Sequence, residues 1–222
     1  MKCIPRSHCF WSLLACAGAL SLAMAAPAQA GLITVFGTGV DSSGNTLTGG
    51  AADTHYSLSR DGVAATAYQW QGNPLGWINI GNNTGISGAN PIDPRRTFHR
   101  YVYTTTFDLA GFDASTASLV GKLYADDDVR VYLNGVYKTG FTTAYNATHD
   151  FTLGSSFVAG VNTLRFEVDN FNGYTGFSTG FSLATANSLA PSGVPEPGAL
   201  ALVGLGLASV GVGRLRRAAR LS

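Results

Sequence analysis

The sequence is short of cysteine and of charge. Its three cysteines, Cys3, Cys9 and Cys16, all lie near the amino terminus, and Asp, Glu, Lys and Arg together make up only 12% of the 222 residues. The chain after residue 30 therefore contains no thiol. This excludes disulfide bonds and Cys-ligated metal sites from that part of the protein.

Basic charge is scarce in the middle of the chain. Residues 31–192 carry eight Lys and Arg against twelve Asp and Glu, a net charge of −4. The one adjacent basic pair in this range is Arg95-Arg96. A mildly acidic domain lacks the positive surface that binding to a phosphate backbone requires, so nucleic acid is excluded as a partner.

The carboxyl-terminal segment, residues 193–222, contains three parts in a fixed order. Val194-Pro195-Glu196-Pro197 precedes an apolar run over residues 198–213, and an Arg-rich end, 214–222, follows. As a helix the run would rise about 24 Å, which is short for a bilayer core about 30 Å thick, and we expect a marginal membrane anchor. Four arginines should hold the end of the chain on the cytoplasmic side and leave the preceding domain outside: Arg214, Arg216, Arg217 and Arg220.

The same three parts resemble a PEP-CTERM sorting signal, the tail that exosortases recognise. The resemblance covers Val194 to Ser222. It implies export, transient retention in the inner membrane and removal of the tail by exosortase. Delivery to the cell surface or extracellular matrix of a Gram-negative bacterium would follow.

The amino terminus has the layout of a secretory signal peptide over residues 1–30. Lys2 and Arg6 precede an apolar stretch, and Ala28-Gln29-Ala30 forms a small-residue cleavage site. Cleavage there would make Gly31 the first residue of the mature protein. An alternative is Leu13-Leu14-Ala15-Cys16, which resembles a lipobox and would make Cys16 a lipidated amino terminus.

Residues 31–192 are long enough for one domain with a core, and their apolar residues alternate. In the clearest segment, 101–109, Tyr101, Tyr103, Phe107 and Leu109 share a face. The same alternation predicts buried faces on five further segments: Leu119, Leu123 and Ala125; Val129, Val131 and Leu133; Phe151 and Leu153; Leu164, Phe166 and Val168; and Phe177, Phe181 and Leu183.

Turn residues complete the pattern, because Asn134-Gly135 predicts a type I′ hairpin and no 12-residue stretch of the domain has helical periodicity. We therefore expect an all-β fold, an antiparallel β-sandwich of the jelly-roll type. The Gly- and Asn-rich residues 72–90 are expected to form a surface excursion. Residues 123–135 and 157–164 are similar to segments of galactose-binding-like jelly rolls, a fold that many carbohydrate-binding modules use.

Two sets of residues are candidates for ligand binding. Asp126, Asp127 and Asp128 supply oxygen ligands suited to Ca²⁺, although neighbouring residues entering a strand point to opposite faces and favour a solvated turn instead. No other cofactor is expected. Tyr132, Trp70 and Trp77 are candidates for stacking on sugar rings. Alternation places Tyr132 opposite Val131 and Leu133, on the face with Arg130 and Asp128.

Catalytic patterns are weak in this sequence. His55, His99 and His149 are far apart, and none fits a His-Glu-x-x-His zinc pattern. Glu167 and Asp169 share a strand face about 7 Å apart, a spacing that suits glycoside hydrolysis, but Arg165 beside them favours an ordinary charged face.

The sequence therefore predicts a non-enzymatic structural or adhesive protein, exported and processed by exosortase, that passes through the inner membrane. The alternative is a carbohydrate-binding module for extracellular polysaccharide. A polysaccharide hydrolase acting through Glu167 is the third hypothesis.

Overall fold

The structure is a computed structural model that describes residues 29–70, 78–88, 98–143, 146–171 and 173–189, the backbone of 92–93, and Gly204 and Gly206. The described residues form thirteen strands: β1 (Ala30–Leu32), β2 (Ala52–Arg60), β3 (Val63–Gln69), β4 (Ile86–Ser87), β5 (Ile92–Asp93), β6 (His99–Asp108), β7 (Phe112–Asp126), β8 (Asp128–Leu133), β9 (Val136–Thr142), β10 (His149–Leu153), β11 (Val161–Asn170), β12 (Gly173–Tyr174) and β13 (Gly176–Ser188).

The strands pair antiparallel in the order β10-β7-β13-β4-β3-β2-β6-β11-β8-β9, and β1 adds to β13. β5 and β12 form a separate pair. We call β10, β7, β13 and β1 the first layer, and β3, β2, β6, β11, β8 and β9 the second layer. The short strand β4 joins the layers by pairing with β13 on one side and β3 on the other.

The core lies between the two layers. Phe177 of the first layer has its ring centroid 5.0 Å from that of Tyr103 and 4.6 Å from that of Phe166, which both belong to the second layer. These three aromatic side chains are fully buried. Because β13 pairs with neither β6 nor β11, the contacts are made face to face, and the fold is a two-layer sandwich.

The prediction of an all-β, antiparallel fold is confirmed, since residues 29–189 contain no helix where the structure describes them. Tyr101, Tyr103, Phe107 and Leu109 are buried, as are all the predicted apolar positions of β7, β8, β10 and β11. Asn134 and Gly135 both have positive φ, 51° and 80°, as a type I′ turn requires.

Two details differ from expectation. Ile86 and Ser87, within the expected surface excursion, form β4, and Ile86 is completely buried in the core. Leu183 is exposed rather than buried, because a register shift between Phe181 and Leu183 reverses the alternation of β13. Residues 72–77 and 89–90 of the excursion lie outside the described residues, and Ile78 and Ile80 pack against Trp70 and Tyr124 rather than standing free on the surface.

Most residues of the predicted targeting segments also lie outside the described residues. They include the signal peptide up to Ala28, the Val194-Pro195-Glu196-Pro197 motif and the four arginines of the tail. Within the apolar run, Gly204 and Gly206 have helical backbone. No helix among the described residues is long and apolar enough to cross a membrane.

Candidate functional site

The solvent-facing side of the second layer collects polar and aromatic side chains from four neighbouring strands. In register, Asp169 of β11 lies between Arg100 of β6 and Asp128 of β8. Two same-face positions along β11, Arg165 lies beside Tyr132 of β8, which in turn pairs with Tyr137 of β9. We call this surface the tyrosine face; Glu167, Arg130 and Gly140 complete it. The face exists because the alternate residues of β8 and β11 fill the core.

Five charged side chains of the tyrosine face form one network. Asp169 accepts hydrogen bonds from Arg100 Nε at 2.7 Å and from Arg130 Nη2 at 2.6 Å. Glu167 Oε1 lies 3.1 Å from Arg165 Nη1, and Glu167 Oε2 accepts a hydrogen bond from the Tyr132 hydroxyl at 3.3 Å. Each carboxylate is therefore held by at least one guanidinium group.

The arginines of the network favour the ionised form of the Asp169 carboxylate. Burial alone would raise the pKa of Asp169, but hydrogen bonds and charge from Arg100 and Arg130 outweigh burial and lower it below its ordinary value. A glycosidase needs one carboxylic acid that stays protonated to serve the leaving group. The lowered pKa of Asp169 therefore does not suit the role of that acid.

Tyr137 gives the face an accessible aromatic ring. Its side chain is 55% exposed, and its hydroxyl lies 3.1 Å from the position that a Cβ on Gly140 would occupy. The absence of a side chain at Gly140 therefore makes room for the tyrosine along β9. The ring of Tyr132 packs against Tyr137 edge to face, with centroids 5.6 Å apart.

Tyr132, which the sequence marks as a candidate for stacking on sugar rings, is less accessible than Tyr137. The Arg165 guanidinium carbon lies 4.2 Å from the centroid of the Tyr132 ring, a cation–π contact that covers one ring face. Tyr132 is half-buried as a result. Tyr137 follows the Asn134-Gly135 turn on an edge strand, a position that could have marked it as the more accessible ring.

The two tryptophan candidates fall elsewhere. Trp70 is 6% exposed and packs with Tyr124 in a small second core cluster, away from the tyrosine face. Such burial leaves it almost no surface on which a sugar could stack. Trp77 lies outside the described residues.

The three consecutive aspartates lie where β7 passes into β8. Burial, followed by the hydrogen bond and charge of Asp127, raises the pKa of Asp126 to about 7. Asp127 accepts a hydrogen bond from the backbone N–H of Phe171 at 2.7 Å. Asp128 stands next to Asp169 in the sheet register. Among the described residues, no group of three or more His, Cys, Asp or Glu side chains is arranged to hold a metal ion.

No protein-family model matches this chain, and no curated protein matches it. Similar solved structures include CBM35 from Paenibacillus barcinonensis, at 16% identity over 59% of this chain and 94% of that chain, with a TM-score of 0.34. TmCBM61 in complex with β-1,4-galactotriose is 13% identical over 58% of this chain and 90% of that one, with a TM-score of 0.38.

An enzyme is also among the similar structures. The β-glucosidase from Kluyveromyces marxianus, in complex with glucose, is 12% identical over 69% of this chain, with a TM-score of 0.33. The alignment covers only 18% of the β-glucosidase. Likenesses this distant carry no functional conclusion for the chain.

Proposed function

We propose that this chain is an exported, non-enzymatic adhesive protein whose jelly-roll sandwich binds extracellular polysaccharide through the tyrosine face. The exposed Tyr137 ring, set beside hydrogen-bonding groups on a solvent-facing sheet, is the observation that carries the proposal. Aromatic rings with adjacent polar groups suit sugars, because a sugar has an apolar ring face and a rim of hydroxyls.

The charged network supports binding rather than hydrolysis. Arg130, Arg165 and Glu167 offer donors and an acceptor beside the two tyrosines, and their mutual contacts hold these groups in place before a ligand arrives. The same contacts occupy Glu167, the residue on which a hydrolase would depend. We therefore assign no catalytic residue to this surface.

The proposal includes sorting by a PEP-CTERM-type tail. Its support is the order of the three parts in residues 194–222 together with the signal-peptide layout of residues 1–30. Exosortase and, for a time, the inner membrane are the partners that this part of the proposal requires. The destination is the cell surface or the extracellular matrix.

A glycan array tests the binding activity. Residues 31–192 should bind at least one extracellular polysaccharide, and Tyr137→Ala should weaken binding about tenfold or more, since stacking on an aromatic ring contributes about 1–3 kcal/mol in comparable ring contacts. Leu183→Ala, a change of an exposed apolar residue in the first layer and therefore away from the tyrosine face, is the control and should bind normally. If no glycan bound, either with or without a chelator, the binding proposal would be wrong.

Mass spectrometry of the exported protein tests sorting separately. Mature protein should begin at Gly31 and lack the Arg-rich end in wild-type cells, but keep that end in cells without exosortase. Intact Arg216-Arg217 in surface protein from wild-type cells would refute tail removal. A lipidated Cys16 at the amino terminus would instead support the lipobox.

A further inference from the structure

A single row of side chains continues from the tyrosine face across the second layer. Directly paired residues of neighbouring antiparallel strands lie side by side on one surface of the sheet. Ser57 of β2 pairs with Thr66 of β3 and with Thr104 of β6, and Thr104 pairs with Arg165 of β11. We call the complete set, one residue from each strand of the second layer, the cross-strand row: Thr66, Ser57, Thr104, Arg165, Tyr132 and Tyr137.

The three hydroxyl residues of the cross-strand row face water. Ser57 and Thr66 are exposed and Thr104 is partly exposed. The residues before and after Ser57 and Thr104 in the sequence are all buried, so these side chains stand on a sheet that is backed by the core. Each hydroxyl can both donate and accept a hydrogen bond.

The half of the row away from the tyrosines is low and continuous. The outward-facing neighbours of Thr66, Ser57 and Thr104 on the same strands are Ala64, Ser59 and Val102. None of these three side chains is larger than valine, so no long side chain stands over this part of the row. Because neighbouring strands lie about 4.8 Å apart, six strands give a row about 24 Å long. That length far exceeds a single sugar ring.

Both ends of the row are open among the described residues. Tyr137 lies on β9, the last strand of the second layer. At the other end, β4 pairs only with residues 68 and 69 of β3, so Thr66 has a described strand neighbour on the β2 side alone. A ligand chain that lies on the row can therefore extend past it in both directions.

The row carries little net charge. Its one charged member is Arg165, whose Nη1 lies 3.1 Å from Glu167 Oε1. Residues 31–192 as a whole carry a net charge of −4. A polymer with a carboxylate on every sugar would meet Glu167 beside the row and a domain of its own sign, whereas a neutral polymer meets neither penalty.

We infer that the tyrosine face binds an internal stretch of a single neutral polysaccharide chain, which lies across the strands along the cross-strand row. The inference rests on the proposed function, because it takes Tyr137 as the stacking residue. One sugar ring stacks on Tyr137, and the hydroxyls of Thr104, Ser57 and Thr66 form hydrogen bonds with the rings that follow.

The twist of the sheet narrows the ligand class further. Neighbouring strands in a sheet are rotated by about 20–25° relative to one another, so the cross-strand row is a twisted strip. A soluble chain with rotatable linkages can follow such a strip. The flat surface of a crystalline polysaccharide cannot touch it along its whole length.

The dependence of affinity on ligand length tests the inference. The full chain, kept in a detergent without a sugar headgroup, is titrated by calorimetry with β-1,4-galactan, β-1,4-mannan and dextran, and with their fragments from disaccharide to octasaccharide. For the polymer that binds, affinity should rise about tenfold or more from the disaccharide to the longest fragment. Blocking both ends of the polymer should leave binding unchanged, and alginate, an acidic polymer, and crystalline cellulose should not bind.

An arginine placed on the far half of the row gives the second test. Ser57→Arg should weaken binding of the octasaccharide about tenfold and leave the disaccharide unaffected, whereas Tyr137→Ala should weaken both. Ser182→Arg in the first layer is the matched control, because Ser182 Oγ donates to the Val120 carbonyl at 3.4 Å just as Ser57 Oγ donates to the Thr104 carbonyl at 3.4 Å. Circular dichroism checks that each variant keeps its β-sheet. If Ser57→Arg does not fold, Thr104→Val, which removes only a hydroxyl, should weaken octasaccharide binding about threefold and decides the question.

The outcomes separate this inference from the proposed function. Equal affinity for disaccharide and octasaccharide, loss of binding on blocking the chain ends, or binding only to alginate or crystalline cellulose overturns the inference and leaves polysaccharide binding in place. Normal octasaccharide binding in folded Ser57→Arg, or in Thr104→Val where that variant decides, does the same when Tyr137→Ala is impaired. If none of these polysaccharides binds, both the inference and the binding part of the proposed function are wrong.

Discussion

The two ends of the sandwich are held together by different chemistry. The uncharged end, made of the loops over residues 109–111, 134–135 and 154–160, is ordered by neutral amides, above all the buried Asn162 between Val158 and Asn134. The charged end, made of the β2–β3 turn, the β7–β8 junction, Arg100 and Asp169, is ordered by carboxylates, with Asp169 between two arginines and Asp61 against His99. The difference shows that one fold can hold its loops either by neutral hydrogen bonds or by ion pairs, which respond differently to pH and salt.

Removing the central amide of the uncharged end should have the largest effect on stability. Asn162 Oδ1 accepts from Val158 N–H at 2.9 Å, and its Nδ2 donates to the carbonyls of Val158 and Gly160. Asn162→Ala leaves these groups without their partner and should lower the free energy of unfolding by about 3 kcal/mol. Urea denaturation measures the loss. Asn146→Ala, at an exposed position, should be near neutral, and a similar loss in both variants would contradict the assignment.

At the charged end, Asp169→Ala should cost somewhat less. It strands Arg100 and Arg130, but both guanidinium groups are partly exposed and can be hydrated. We expect a loss of about 2 kcal/mol in the free energy of unfolding. Asp150→Ala removes the mostly exposed partner of Lys122 and serves as the control. If the two variants were equally stable, the network around Asp169 would contribute no more to the free energy of unfolding than an ordinary surface ion pair does.

The charged end should also respond to pH in two opposite ways. Asp126 has a folded pKa of about 7 against an ordinary 3.8, so its protonated form is favoured by folding and stability falls as pH rises through that interval. Asp169 has a lowered pKa, so its contribution is present above the ordinary value and is lost as pH falls below it. Asp126→Asn should remove the first slope and raise stability above pH 7 by about 1 kcal/mol, allowing for solvent screening.

Denaturation at mildly acidic and mildly alkaline pH, for the wild type and Asp126→Asn, measures that slope. Asp113→Asn is a control at an exposed carboxyl whose pKa is lowered by its hydrogen bonds to Ser115, and it should leave the slope in place. An unchanged pH profile in Asp126→Asn would show that another group titrates in this range.

The smallest effect is expected on the exposed surface of the uncharged end. Val161→Thr should change the free energy of unfolding by less than about 0.5 kcal/mol. Val168→Thr, in the same strand but completely buried, should cost about 1–3 kcal/mol because it buries a hydroxyl. Comparable losses by thermal unfolding in the two variants would mean that Val161 packs against protein rather than facing solvent.

Much of the sandwich follows from the period of its apolar residues. β6 and β8 keep strict alternation, and β11 keeps it up to Val168, so their core faces could be predicted without knowledge of their partners. The β2–β3 hairpin was not predicted, because its strands are rich in Ala, Ser and Thr. Its turn, Asp61-Gly62, has positive φ at both residues and was a readable signal.

The tyrosine face shows where sequence reasoning stopped. Alternation placed Tyr132, Arg130 and Asp128 on one face, but it gave no information on which residues of β11 and β9 lie beside them. The pairing of Arg165 with Tyr132, and the space over Gly140 for Tyr137, depend on sheet register. Register between distant strands is a property of the whole fold, so these neighbours appear only in three dimensions.

The position of β13 bears on the order of events in the proposed export. This strand pairs with β1, β4 and β7, and it is the last of the described strands to be synthesised. The predicted cleavage between Ala30 and Gly31 falls within β1, which is paired to residues 185–187 of β13 in the folded domain. In the proposed export this bond would be accessible to a peptidase until β13 has been synthesised and has paired with β1, so cleavage would precede closure of the first layer.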